Sequence, residues 1–144
     1  MMDAQQVTYA KETVAQLEAA TFSLPFFVRR AYVPIYQHET DGDSLIIFVL
    51  QTEITDDIGT REDDMESFGV QIGIYQAVDP LDVAKLDELF SFAEQVRDFF
   101  RSKKRQGNSS DLTDVKVIAP FNPAKLLNEH TFVSLIGLTY MTMR

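Results

Sequence analysis

The sequence predicts a single α/β (α+β) domain in the order α-β-β-β-α-β-β, a mostly antiparallel sheet with helices packed on it. Three observations carry this. The run Leu45-Ile46-Ile47-Phe48-Val49-Leu50 is continuous and β-branched, Phe68, Val70, Ile72 and Ile74 alternate with smaller or polar residues, and a long apolar stripe of helical period follows Asp79. A chain of 144 residues that is 45% hydrophobic and 24% charged buries a sizeable core without staples. Cysteine is absent, which excludes disulfides, thiolate metal ligation and a cysteine nucleophile.

Val7, Ala10, Val14 and Leu17 recur at helical spacing and predict a first helix over Asp3 to Ala20. Leu24-Pro25 then breaks the helix, because proline disfavours helical geometry for the residue before it. A loop carrying Phe26, Phe27, Arg29 and Arg30 follows. Tyr32 to Tyr36 reads as a short strand, placed at a sheet edge because Pro34 has no N–H to give a ladder. Leu45 to Leu50, apolar throughout, should be a strand buried on both faces, and the strand from Phe68 buries one face only. The connection from Thr55 to Met65 is too long for a tight turn and reads as a mobile acidic loop.

Asp79-Pro80-Leu81-Asp82 reads as a helix start, with Asp79 capping, Pro80 at the first position and Asp82 favouring the positive end of the dipole. The helix runs to Arg105, its apolar stripe formed by Val83, Leu86, Leu89, Phe90, Ala93, Val96, Phe99 and Phe100. A fourth strand is expected at Leu112 to Ala119, one helical turn at Ala124 to Asn128 after Asn122-Pro123, and a last strand from Phe132 to Met143. No stretch has the length and apolarity of a membrane span, and the start of the chain lacks the basic and apolar regions of a signal peptide.

The net charge of −9 is distributed unevenly. Glu39 to Glu66 carries the whole excess, whereas Arg97 to Arg105 is strongly basic. An acidic domain lacks the field of a general nucleic-acid binder, and its dipolar layout suits contact with proteins or with copies of itself. The candidate interface residues are therefore Asp56, Asp57, Glu62, Asp63 and Asp64 on the acidic side, and Arg101, Lys103, Lys104 and Arg105 on the basic side. Two solvated segments of opposite sign are the plainer reading.

His38 and His130 stand alone, and no nucleophile elbow, zinc-protease, dinucleotide or phosphate-loop motif occurs, so no catalytic, cofactor or metal residue is assigned. An EF-hand loop starting at Asp56 would need oxygen ligands where Ile58 and Thr60 stand. The basic run lacks the interleaved aromatics of a single-strand platform, and as a helix C-terminus it has a structural reason to be cationic.

The strand Phe68-Gly69-Val70-Gln71-Ile72-Gly73-Ile74, the Asp79-Pro80-Leu81-Asp82 start of a long helix ending in basic residues, and the closing Phe132-Val133-Ser134-Leu135-Ile136-Gly137-Leu138-Thr139-Tyr140 together resemble the tail terminators of long-tailed bacteriophages. The likeness covers Ala31 to Arg144. It implies a non-enzymatic virion protein of the tail and neck, assembled in the host cytoplasm. It further implies a homohexameric ring that caps the tail tube, stops its polymerisation and docks to the head-completion or connector protein, with DNA only passing through the lumen. An acidic lining would keep such a lumen from binding phosphate. The nearest rival is another neck protein, a head-closure or adaptor subunit. The rival of a different class is a metal-binding regulatory or enzymatic domain that uses the acidic loop.

Overall fold

The computed structural model describes residues 5–34, 36, 44–51, 65–106 and 112–143, with backbone only at 5, 65–67, 105, 106, 142 and 143. The elements are α1 (Gln5–Ala19), β1 (Phe27–Ala31), β2 (Ile46–Gln51), β3 (Met65–Ala77), α2 (Val83–Gln106), β4 (Leu112–Ala119), α3 (Pro123–Glu129) and β5 (Thr131–Met143). They form one five-stranded mixed sheet in the order β1-β2-β3-β5-β4. Only β1 with β2 is parallel, and the other three pairings are antiparallel.

The first strand lies five residues upstream of its expected place. Phe27–Ala31, read from sequence as loop, pairs with Ile46–Leu50, while Tyr32 and Val33 are exposed beyond the strand. Pairing decides this: the Phe27 N–H donates to the Leu45 carbonyl at 2.9 Å, Val28 packs on the main core, and Ala31 packs on the opposite face. The edge position was expected, and it explains how two arginines fit in a strand. Fourteen residues separate the end of β1 from the start of β2, a connection of the length that a parallel pair requires. The acidic connection from Thr55 lies outside the described residues up to Met65, where β3 begins.

One sheet face carries the main core. Ile47 and Val49 of β2, Val70, Ile72 and Ile74 of β3 and Ile136, Leu138 and Tyr140 of β5 pack there with α1 and α2. On α1 the buried line is Tyr9, Ala10, Thr13 and Leu17, with Val14 only partly buried, so the helix is turned slightly from the expected stripe. The cause is a polar and aromatic contact: Tyr9 stacks on Tyr140 at 4.4 Å, and the Thr13 hydroxyl meets the Tyr140 hydroxyl at 2.8 Å. The opposite face carries a smaller cluster of Ile46, Phe48, Leu50, Tyr75 and Val133, packed by Ala31, Tyr36 and Leu135. Tyr36 closes it with its hydroxyl, which donates to the Ser44 carbonyl at 2.8 Å and accepts the Ala77 N–H at 3.0 Å.

The helix α2 begins at Val83, three residues after the expected first position, Pro80. Asp82 is its cap, accepting the Lys85 N–H at 3.1 Å, and Asp79 instead closes the preceding turn by accepting the Leu81 N–H at 2.9 Å. The buried line is Leu89, Phe92, Ala93, Val96 and Phe100. Phe92 was left out of the expected stripe, and Val83 and Phe90, which were included, are exposed. Phe92 sits three residues from Leu89 and four from Val96, so the packed face is centred there. Asn122 caps α3 by accepting the Lys125 N–H at 3.1 Å, and His130 ends it in the left-handed conformation, φ 50°.

Gly73 faces the smaller cluster, and a Cβ there would lie 2.7 Å from the Tyr75 ring. That ring is braced edge-on against Phe48 at 5.2 Å and stacked on Tyr36 at 6.4 Å. Gly73→Val is expected to destabilise the fold by about 1 to 3 kcal/mol in denaturant unfolding, through displacement of this aromatic group.

Candidate functional site

Strand directions sort the surface into two ends. At one end lie Ala31, Gln51, Met65, Leu112 and Met143, because β1 and β2 finish there, β3 and β4 start there and β5 finishes there. The residues flanking the acidic connection, Gln51 and Met65, therefore lie at the same end of the sheet as the start of β4. The C-terminus of α2 reaches β4 through residues 107–111 alone. Topology thus brings the two ends of the acidic segment and the basic helix end toward one pole of the domain. Asp56, Asp57, Glu62, Asp63 and Asp64 themselves lie outside the described residues.

Arg101 and Lys104 are exposed in the last turns of α2, and the Lys103 ammonium lies 5.1 Å from the centre of the Phe99 ring. Arg105 belongs to the helix, with only its backbone described. These cations stand where the helix dipole is negative, which by itself accounts for their sign. At the same end of the sheet but on its opposite edge, the Arg30 guanidinium hydrogen-bonds Gln51 and lies 5.9 Å from the centre of the Tyr32 ring. Hydrogen bonding to Gln51 and Arg30 holds the Tyr32 phenol below its ordinary pKa.

The opposite pole carries exposed apolar side chains among charged ones such as Asp79, Asp82 and Glu129, and the sequence reading did not find it. The turn leading into α2 is tied to the end of α3 by the Val78 N–H, which donates to the His130 carbonyl at 2.9 Å. Around this joint Leu81 is 87% exposed and Leu127 71%, with Val83, Phe90 and Phe121 also exposed. Phe90 and Phe121 meet edge to face at 6.3 Å. Val83 had been assigned to the packed stripe by its period and Leu81 to the helix start, whereas Leu81 lies in the turn before the helix and both face outward.

Among the described residues no group of three or more His, Asp or Glu side chains is placed to hold a metal ion, and no helix is long and apolar enough to cross a membrane. His130 has a conformational role at the end of α3, and His38 lies outside the described residues. Among the described residues the most perturbed phenol is Tyr140, whose pKa burial pushes up to about 12 against the opposing effect of its hydrogen bond with Thr13. It is enclosed in the core and serves packing. No family model matches the chain, and no curated protein matches it.

Proposed function

We propose that this chain is a virion structural protein of a long-tailed bacteriophage that forms a ring on the end of the tail tube, stops tube polymerisation and joins the tail to the head. The observation that supports this reading is the presence of two chemically unlike poles on one sheet. A ring inserted between two different structures needs two different axial surfaces, and a subunit with exposed apolar side chains at one pole and the basic helix end at the other supplies them in every copy. α2 runs from one pole to the other, its first turns carrying the exposed Val83 and its last turns the basic run. Segregated charge adds to this, because it can steer a docking partner while apolar contacts hold it.

The decisive test is addition of the purified protein to growing tail tubes. Tubes should stop elongating and carry extra mass at one end by electron microscopy, and unchanged tube length at saturating protein would refute the reading. Charge tuning has its own test. Reversing Lys103, Lys104 and Arg105 to glutamate should slow ring formation, more at low salt than at high salt, because exposed ion pairs contribute only about 0 to 1 kcal/mol each and are screened. Equal assembly at every ionic strength would leave the basic run as a helix terminus only.

A further inference from the structure

Resting on the ring reading, we infer that neighbouring subunits join by pairing the outer edge of β1 with the outer edge of β4 from the next copy, antiparallel, with Arg29 opposite Asp114. Both strands end the sheet, and no described strand pairs with either outer edge. Phe27 turns its N–H toward β2, so by strand alternation Val28 and Arg30 turn their N–H and C=O outward. Open edges of this kind are ready to accept another strand.

Direction is the first argument. The strand β1 runs parallel to β2, β3 opposes it, β5 runs with it and β4 opposes it again. Copies related by rotation about an axis along the strands therefore bring β1 and β4 together antiparallel, without inverting a subunit. The two surfaces differ, so the contact is heterologous and closes as a ring when the rotation allows.

Side-chain chemistry sets the register. Arg29 pairs with Phe48 and Asp114 with Thr139, which places both on the face of the smaller cluster, and both are exposed. With Arg29 opposite Asp114, Val28 falls opposite Val115, and both of these belong to the face of the main core. Phe27, 64% exposed, then falls opposite Lys116 with Ile118 within diagonal reach, so two exposed apolar side chains flanking the edges cover one another. A shift of two residues one way would put Arg29 against Lys116, like charge on like.

The chain has no cysteine, which makes disulfide trapping clean. Directly opposed positions in an antiparallel pair have the Cβ spacing that a disulfide accepts. The double variant Arg29→Cys/Asp114→Cys, oxidised at concentrations where the parent is oligomeric by light scattering or on tube ends, should give a ladder of covalent multimers ending in a closed ring. A mixture of the two single variants should stop at dimers. Self-crosslinking of either single variant alone would overturn the pairing in favour of a two-fold contact. An oligomeric parent whose double variant does not crosslink would overturn the β1–β4 pairing and leave the ring reading standing. A parent that stays monomeric at every concentration and on tube ends would overturn both. As a second readout free of cysteine, Arg29→Asp and Asp114→Arg should each weaken association about fivefold and restore it in combination, and absence of restoration would remove the assigned register.

Discussion

Phe92→Ala is expected to destabilise the protein by about 3 to 5 kcal/mol, and Leu89→Ala by about 2 to 5 kcal/mol. Both side chains are fully buried on the face of α2 that covers the sheet. Phe92 also meets Phe22 edge to face at 5.6 Å and Phe26 at 5.7 Å, so its removal opens a cavity bounded by rings that cannot all collapse into it. Val83→Ala on the same helix should change stability by less than about 0.5 kcal/mol, since Val83 is exposed. Denaturant melts of the three variants check the assignment. A loss below about 1 kcal/mol for Phe92→Ala would mean that the helix presents another face to the sheet.

The second large effect is a loss of stability in alkali that runs through Tyr140. Burial raises its pKa from 10.0 to about 12, so the folded state holds the phenolic proton more tightly than the unfolded chain does. A raised folded-state pKa gives a contribution that is complete below pH 10 and is lost as pH climbs through 12. The full difference is about 3 kcal/mol. Tyr140→Phe removes the titration together with the hydrogen bond to Thr13, which costs about 1 kcal/mol near neutrality. The parent should therefore be the more stable of the two at pH 8 and lose that lead between pH 10 and 12. Parallel melting curves for parent and variant that keep a constant separation across this range would show that the hydroxyl is not sealed in the core.

The parts of the fold legible in the sequence are those whose signal is local. β2 announces itself because Leu45 to Leu50 is apolar at every position, as a strand covered on both faces must be. β4 has the expected bounds, Leu112 and Ala119, set off by the turn residues before it and by Pro120 after it. β1 was missed because Arg29 and Arg30 look like a solvated loop, and only pairing along one side with β2 makes their exposure compatible with a strand. Asp79 and Asp82 are both good caps, so local chemistry alone could not choose between them. Asp82 caps the helix, and the Asp79 carboxylate is occupied by the turn to Leu81. Tyr9 and Thr13 escaped notice because their burial depends on the Tyr140 hydroxyl, which is 127 residues away from Thr13 along the chain.

For the candidate site the division is similar. The segregation of charge is a property of the linear sequence, and the basic run at the end of α2 stands where it was expected. That the flanks of the acidic segment and the basic helix end share one pole follows from strand directions, which no local pattern encodes. The exposed apolar side chains of that pole were hidden because Val83 keeps a helical period with residues that are buried, and period cannot say where a helix leaves the sheet.

By itself the sequence determined the element types except at β1, the helix-covered sheet and the two charged segments, because backbone geometry, apolar period and capping act over a few residues at a time. Only the tertiary structure decided the parallel pairing of β1 and the strand order β1-β2-β3-β5-β4. Those two facts leave β1 and β4 as edges of opposite direction and set exposed apolar side chains at one pole against the basic helix end at the other. The physical reason is that hydrogen bonding between strands is nearly indifferent to side-chain identity. Order and direction are selected by which arrangement buries Phe92, Tyr140 and Phe48 together, and that is a property of the whole chain.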